Sequence, residues 1–228
     1  MKKIIFLTAM TVSGTVCFSQ KSETRNIEAF DKITAFGSVD IFLVKGNKET
    51  IKLESESVDL SEVKVKQDGK TLKISVAEML FSSSREVKIT LTYRELRGIT
   101  LRAGASLNDT SFISGDKLEI IAGSGAVLNL KLKLNALQIS VGQGADVTIE
   151  GKCTTQEVET STGGLYNAYF LKCDSSYVKS NTGGLAKVSA VDLLDAYAST
   201  GGDISYRGNP PIKKEKTILG GSVEKVEE

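Results

Sequence analysis

The sequence contains no histidine and no tryptophan, and only two prolines, among its 228 residues. The absence of histidine removes the commonest general base and leaves an incomplete ligand set for a metal site built on the few thiols. Aromatic residues make up only 6% of the chain, which argues against an aromatic-lined sugar tunnel. These absences disfavour a metal centre and leave lysine and carboxylate chemistry as the routes to catalysis.

An excess of charge of one sign is also lacking. The chain has 29 basic and 28 acidic residues, a net charge of +1, and no long run of either sign. A nucleic-acid groove or an electrostatic membrane anchor requires such an excess. No segment reaches the ~20 apolar residues of a transmembrane helix. We therefore expect no nucleic acid partner, no cofactor and no transmembrane segment in the mature chain.

The first nineteen residues have the pattern of a signal peptide. Two lysines follow the initial methionine, an apolar run covers residues 4–16, and small residues at Cys17 and Ser19 precede a cleavage site. The sequence therefore predicts an exported protein of the periplasm or the cell surface. Lipid anchoring through Cys17 is the alternative, although Gly14-Thr15-Val16 matches a lipobox poorly.

What the sequence does contain is a glycine corner that recurs through its second half. Subtracting successive corner positions gives intervals of 21, 19, 19, 20, 18 and 19 residues, and the last four corners carry a second glycine. A short fixed period of this kind is typical of a stacked solenoid. The corner glycines are Gly104, Gly125, Gly144, Gly163, Gly164, Gly183, Gly184, Gly201, Gly202, Gly220 and Gly221.

The residues between the corners alternate between apolar and polar, as in Val147-Thr148-Ile149-Glu150. A period of two indicates strand, tight corner, strand, and the turn is too short for a helical hairpin repeat. The sequence therefore predicts an all-β protein, a right-handed parallel β-helix of about 18–21 residues per turn. We expect one domain over residues 20–228, with regular turns over 99–228 and a less regular, partly antiparallel β part over 20–98.

The corner glycines have a structural explanation. The chain bends sharply, which favours a positive φ, and the neighbouring turn leaves little room for a Cβ. We expect Ser161-Thr162, Asn181-Thr182 and Ser199-Thr200, which precede three Gly-Gly pairs, to stack into hydroxyl and amide ladders. A phosphate-binding loop is disfavoured, because the residues that follow read as strand and not as a helix.

Two cysteines fall at one position of adjacent turns. Cys153 and Cys173 are 20 residues apart, and each lies ten residues before a Gly-Gly corner. Stacked neighbours about 4.8 Å apart lie within the range that permits a disulfide. A disulfide and a buried thiol ladder are both compatible with this placement.

The N-terminal part also reads as β structure. Alternating segments begin at Val39, Ile51, Val63, Thr71 and Val87, and Asp68-Gly69 is a strong hairpin turn. We expect this part to cap or flank the solenoid without adding ordinary turns, because an uncovered end strand recruits other chains. Residues 78–85 are predicted to form a loop.

Three residues predict a ligand face on one outward-facing sheet: Tyr177, Lys179 and Tyr197. A flat surface of tyrosine and mixed charge suits a sugar ring or a protein partner. Ordinary strand composition is the alternative, because tyrosine favours exposed strand positions. The carboxylates considered for catalysis alternate with amide, aromatic or lysine neighbours, so we assign no catalytic residue; they are Asp146, Glu150, Glu157, Glu159, Asp192, Asp195 and Asp203.

Several segments together resemble a known family. Arg25-Asn26-Ile27, residues 37–41, residues 68–74, the glycine corners and residues 202–210 occur in an order similar to that of the head GIN domain family. The resemblance covers about residues 25–223. It implies a β-helical, extracytoplasmic domain with an adhesive role, found in exported proteins of Bacteroidetes, and supplies no catalytic residues. Tyr93-Arg94 departs from the family pattern, which often has Tyr-Pro there.

The expected function is a structural or adhesive, non-catalytic role that uses an extended sheet face. A glycan or a protein of the cell envelope or extracellular space is the expected partner. A glycan-binding module is the alternative, and a lyase or glycosidase is a further one, because β-helices include both enzyme types.

Overall fold

The structure is a computed structural model that describes residues 21–56, 59–76 and 87–227. The predicted signal peptide with Cys17 and the loop predicted over 78–85 lie outside these ranges. The described residues form eighteen β-strands and a single 3-10 turn at Leu60–Glu62. The strands are β1 (Lys21–Asn26), β2 (Lys32–Phe36), β3 (Val39–Lys45), β4 (Thr50–Ser55), β5 (Val63–Asp68), β6 (Thr71–Val76), β7 (Val87–Tyr93), β8 (Gly98–Arg102), β9 (Ser106–Ala122), β10 (Val127–Val141), β11 (Asp146–Thr160), β12 (Leu165–Asn167), β13 (Leu171–Ser180), β14 (Leu185–Ser189), β15 (Leu193–Ser199), β16 (Asp203–Arg207), β17 (Ile212–Ile218) and β18 (Ser222–Lys225).

The second half of the chain is a parallel β-solenoid. From β8 onward, each strand pairs in parallel with the strand one turn later: β9 with β10, β10 with β11, and β11 with β12 and β13. The same parallel pairing continues through β14, β15 and β16 to β17 and β18. This arrangement confirms the fold class predicted from the glycine period.

The core consists of apolar side chains stacked in register along the solenoid. Because side chains alternate across a strand, every second residue points inward. One inward row runs through Ile99, Ile120, Ile139, Val158, Val178 and Ala196, and all six are buried. Each turn therefore covers the apolar surface of the turn before it.

The N-terminal part contributes both turns and a cap. β2 lies between β6 and β8 and pairs in parallel with both, so the strand order departs from the chain order. β3 likewise pairs in parallel with β7 and β9. Antiparallel strands cover the outer side: β5 pairs with β6, and β4 pairs with β7 and β1. The β5–β6 hairpin agrees with the Asp68-Gly69 turn, and the strands of this part join the stack out of chain order and not as ordinary turns.

Each corner is a tight turn with two left-handed residues. At the corner after β15, the N–H of Gly202 donates to the carbonyl of Ser199 at 2.9 Å. The two residues between them, Thr200 and Gly201, have φ values of 50° and 71°, the arrangement of a type I′ turn. A Cβ on Gly202 would lie 2.4 Å from the carbonyl carbon of Ser180. The first glycine thus provides the backbone conformation, and the second permits close approach of the previous turn.

The ladder expected from Ser161, Asn181 and Ser199 is wrong in position. Among the described residues, the stacked hydroxyl pair lies one residue earlier, where Thr160 Oγ1 donates to Ser180 Oγ at 2.8 Å. Ser180 Oγ in turn donates to the carbonyl of Gly184. These hydroxyls are buried and must therefore bond within the protein.

Cys153 and Cys173 face each other across the β11–β13 pair. Their Cα atoms are 4.7 Å apart and their side chains are joined as a disulfide. Both residues are buried. The bond therefore links two consecutive turns inside the solenoid.

Charged residues end the apolar core at β17. Lys213 and Glu215 lie opposite the inward-facing Leu194 and Ala196 of β15, yet they are exposed. The Lys213 Nζ atom lies 3.0 Å from Tyr206 Oη and 3.2 Å from Glu215 Oε1. Inward-pointing charges of this kind discourage strand addition at an open edge.

The two glycines of one corner should respond differently to substitution. We expect Gly202→Ala to lower the free energy of unfolding by about 3 kcal/mol, because its Cβ meets backbone that cannot move aside. Gly201→Asn should cost less than about 1 kcal/mol, because asparagine tolerates left-handed φ and the space around Gly201 is open. Urea unfolding of both variants measures the difference, and equal losses would contradict this assignment.

The disulfide should stabilise the folded protein. It closes a loop of 20 residues, for which the loss of unfolded-state entropy predicts about 3 kcal/mol. Reducing agent should lower the unfolding midpoint of the wild type but not that of a Cys153→Ala/Cys173→Ala variant. If a thiol reagent labels both Cys153 and Cys173 in protein denatured without reducing agent, the two residues form a thiol ladder and not a disulfide.

Candidate binding face

Two outward-facing rows of side chains cross β9, β10, β11, β13, β15 and β17. They come from alternate positions of these strands, and each row member lies directly opposite the next. The first row is Glu119, Gln138, Glu157, Tyr177, Asp195 and Lys214, and the second is Ile121, Ser140, Glu159, Lys179, Tyr197 and Lys216.

The three residues of the predicted ligand face lie together in these rows. Lys179 is directly opposite Tyr197, and Tyr177 is directly opposite Asp195, so the two tyrosines are diagonal neighbours within reach of one ligand. The Tyr177 side chain is 42% exposed. The cleft at this position has a volume of about 470 Å³. We call this surface the tyrosine face; its lining residues are Thr155, Glu157, Glu159, Tyr177, Lys179, Asp195 and Tyr197.

Charges of both signs surround the two tyrosines in these rows. Glu157 and Glu159 lie on one side of the tyrosines, and Lys214 and Lys216 lie on the other. The Nζ atom of Lys216 is 5.5 Å from the centre of the Tyr197 ring, a distance that permits a cation–π contact. The surface therefore offers one ring between two acids, Tyr177 between Glu157 and Asp195, and one ring between two bases, Tyr197 between Lys179 and Lys216.

The seven carboxylates considered for catalysis do not meet in one place. Glu157, Glu159 and Asp195 line the tyrosine face. Asp146 and Asp203 lie in a different row, in which Asp146 is opposite Leu165 and Asp203 is opposite Leu185. Glu150 lies 3.9 Å from Lys131 Nζ, and the exposed Asp192 lies between β14 and β15. In the described ranges, no three side chains of Cys, Asp or Glu are grouped so that they could hold a metal ion.

A buried polar network behind the tyrosine face was not predicted from the sequence. Gln156 Nε2 donates to Ser176 Oγ at 2.8 Å, and Tyr166 Oη donates to Gln156 Oε1 at 3.0 Å. Ser176 Oγ also donates to the carbonyl of Ser189. Gln156 and Ser176 directly precede Glu157 and Tyr177, so these bonds fix the strands that carry the face.

The sequence contained a sign of this buried network. Gln156 and Ser176 occupy the inward position that is leucine at Leu118, Leu137 and Leu194 in other turns. A polar residue in an apolar row requires a buried hydrogen-bond partner. Burial also raises the pKa of Tyr166 above its usual range, so this hydroxyl stays protonated and remains a donor.

The departure at Tyr93-Arg94 has a structural counterpart. Arg94 Nε is 2.6 Å from Oε1 of the buried Glu49, and a proline at this position could not form that ion pair. Tyr93 Oη donates to Asp109 at 3.4 Å. Burial and the charge of Asp109 raise the pKa of Tyr93.

The cleft beside Arg94 and Glu49 has a volume of about 340 Å³ and is lined by side chains of both charges. It therefore selects for neither an anion nor a cation.

Comparison with solved structures shows the same fold in bacterial proteins. A putative adhesin from Bacteroides fragilis superposes with a TM-score of 0.81 at 19% identity, covering 91% of this chain and 97% of its own. A putative adhesin from Parabacteroides merdae has a TM-score of 0.71 at 18% identity, covering 91% and 96%. A putative lipid binding protein from Parabacteroides distasonis has a TM-score of 0.68 at 17% identity, covering 91% and 97%.

Two further observations place the chain. No curated protein sequence matches it, and the described part contains no helix with the length and hydropathy of a membrane span. The family model described as "Putative auto-transporter adhesin, head GIN domain" matches residues 29–210, most of the chain and nearly all of the solenoid. The chain therefore belongs to the head GIN domain family, as the order of its motifs indicated.

Proposed function

We propose that this chain is an exported, non-catalytic adhesive domain that binds its partner through the tyrosine face. The observation that carries the proposal is the grouping of Tyr177, Lys179 and Tyr197 over one cleft. Membership of an adhesin family supports the adhesive role. Partially exposed tyrosines are frequent anchors of binding energy, because they bury a large area at little entropic cost.

The stacked strands suit the face to an extended partner. Its side chains project from regularly paired strands, so their spacing is fixed before binding and little order is gained on contact. The buried network of Gln156, Ser176 and Tyr166 holds two of these strands from behind. An adhesive surface that must resist force benefits from this rigidity.

A glycan is the second candidate ligand for the same face. The rings of Tyr177 and Tyr197 offer flat apolar surfaces for a sugar ring, and the carboxylates of Glu157 and Asp195 in the cleft accept hydrogen bonds from sugar hydroxyls. A protein partner would use the same aromatic groups together with the charges of both signs beside them.

We propose binding without catalysis because of how the acids are placed. Tyr177 lies between Glu157 and Asp195 in one row, and Glu159 has Lys179 as its neighbour in the other. An aromatic spacer and a lysine neighbour suit a solvated binding surface, whereas a glycosidase pair needs two acids that flank one bond.

We place the mature domain in the periplasm or at the cell surface. This proposal combines the predicted signal peptide with the adhesin family. A disulfide between Cys153 and Cys173 agrees with an oxidising compartment.

The test is a glycan and extracellular-matrix protein array with the purified chain from Gln20 to Glu228. Ligands that bind are then titrated against Tyr177→Ala and Tyr197→Ala, which should each weaken binding by about tenfold or more. Phe112→Ala removes an exposed aromatic outside this cleft and should leave the affinity unchanged.

The outcomes separate the candidates. A glycan hit that is lost in both tyrosine variants supports the glycan module, and a matrix-protein hit lost in both supports protein adhesion. Release of reducing ends or unsaturated sugars from any bound glycan would overturn the non-catalytic proposal. Binding that Phe112→Ala weakens as much as Tyr177→Ala would overturn the assignment of the face.

A further inference from the structure

Three lysines form a straight row on a different side of the solenoid. Lys133 of β10 lies directly opposite Lys152 of β11, and Lys152 lies directly opposite Lys172 of β13. All three are exposed. Parallel strands are about 4.8 Å apart, so the row presents one positive charge per turn along the solenoid axis. We call these three residues the lysine row.

The lysine row has no acidic partner within the described part of the chain. None of the three ammonium groups lies within ion-pair distance of a carboxylate there, whereas the neighbouring Lys131 has Glu150 at 3.9 Å. Like charges placed directly opposite each other on a sheet are destabilising. Three in succession are therefore unfavourable for the fold and suit a surface that meets an anion.

A cleft of about 640 Å³ follows the lysine row. Its polar lining also includes Ser114, Asn135 and Thr154, which can hydrogen-bond to hydroxyl groups. Asp174 is the one carboxylate among the cleft residues. Asn135 Nδ2 donates to Asp116 at 2.8 Å beside it. The three lysines outnumber Asp174 and Asp116 together, so the cleft favours anions.

The cleft continues into an aromatic one through Lys172. The second cleft, of about 490 Å³, is lined by Lys172 together with Tyr169 and Phe170. Phe170 is 68% exposed. The Arg207 guanidinium carbon is 4.4 Å from the Tyr169 ring centre and 5.7 Å from that of Phe170. A cation and an exposed ring thus adjoin the last lysine of the row.

We propose that the lysine row and Phe170 form a binding site for a linear acidic polysaccharide. Successive acid groups of the polymer lie along Lys133, Lys152 and Lys172, and a sugar ring rests on Phe170. The polymer runs along the solenoid axis, because both the charges and the shared cleft extend in that direction. This site is separate from the tyrosine face and does not depend on its function.

The chemistry favours a polysaccharide over a nucleic acid. A nucleic-acid site needs a broad basic surface, but this chain has a net charge of only +1 and the row is one residue wide. The cleft also offers amide and hydroxyl groups that match sugar hydroxyls. The experiment includes single-stranded DNA to test this preference directly.

The experiment measures binding of four polymers to the chain from Gln20 to Glu228 by calorimetry at low and high salt. Polygalacturonate supplies carboxylates and dextran sulfate supplies sulfates, while neutral dextran and oligo(dT) are the controls. We expect one or both acidic polysaccharides to bind, with an affinity that falls as salt rises. Neutral dextran and oligo(dT) should bind at least tenfold more weakly.

Matched variants locate the site. Lys152→Gln should weaken binding about fivefold without lowering the melting temperature, because it relieves repulsion within the row. Phe170→Ala should weaken binding as well, and Asp174→Asn should strengthen it. Lys64→Gln removes a charge from the exposed face of β5, so it should not change the affinity.

Each result either supports or overturns the proposal. Loss in Lys152→Gln and Phe170→Ala with retention in Lys64→Gln supports the site. If Lys64→Gln weakens binding as much as Lys152→Gln does, the binding is general charge attraction and the proposed site is overturned. Equal or tighter binding of oligo(dT) would overturn the ligand class, and absence of binding to both acidic polysaccharides would overturn the site.

Discussion

The in-register parallel pairing of successive turns is the constraint on which the rest of this structure depends. Each strand satisfies its backbone groups with the turns on either side, so a residue can stack only on the residue at the same position of the next turn. The inward row that begins with Leu72, Ile33 and Ile99 and continues to Ala196 shows the result. Apolar area is buried between turns, and no large central core is needed.

The same constraint shapes the outer surface. A side chain that points outward has its counterpart from the next turn about 4.8 Å away, so surface sites take the form of rows. The tyrosine face mixes aromatic groups with charges that change sign, whereas the lysine row repeats one charge three times. The first arrangement suits a partner that contacts rings and charges of both signs, and the second suits a polymer with a regular repeat.

The same stacking explains which parts of the fold were predictable. A nearly constant interval between glycine corners sets the length of a turn, so Lys179 and Tyr197 could be aligned by counting from their own corners. The family followed from the order of the motifs. The position of the hydroxyl ladder did not follow, because counting aligns residues but does not show which of them turn inward at a left-handed corner. Thr160 and Ser180 were therefore missed by one residue.

The sequence by itself determined the all-β class, the length of a turn, the alignment of Cys153 with Cys173 and the proximity of Tyr177, Lys179 and Tyr197. These properties depend on spacing and alternation within short stretches. Only the tertiary structure decided that β2 inserts between β6 and β8, that Gln156 bonds to Ser176 and Tyr166, and that Phe170 adjoins the lysine row. Such contacts arise from long-range pairing and from the direction of side chains at bends, where no local period applies.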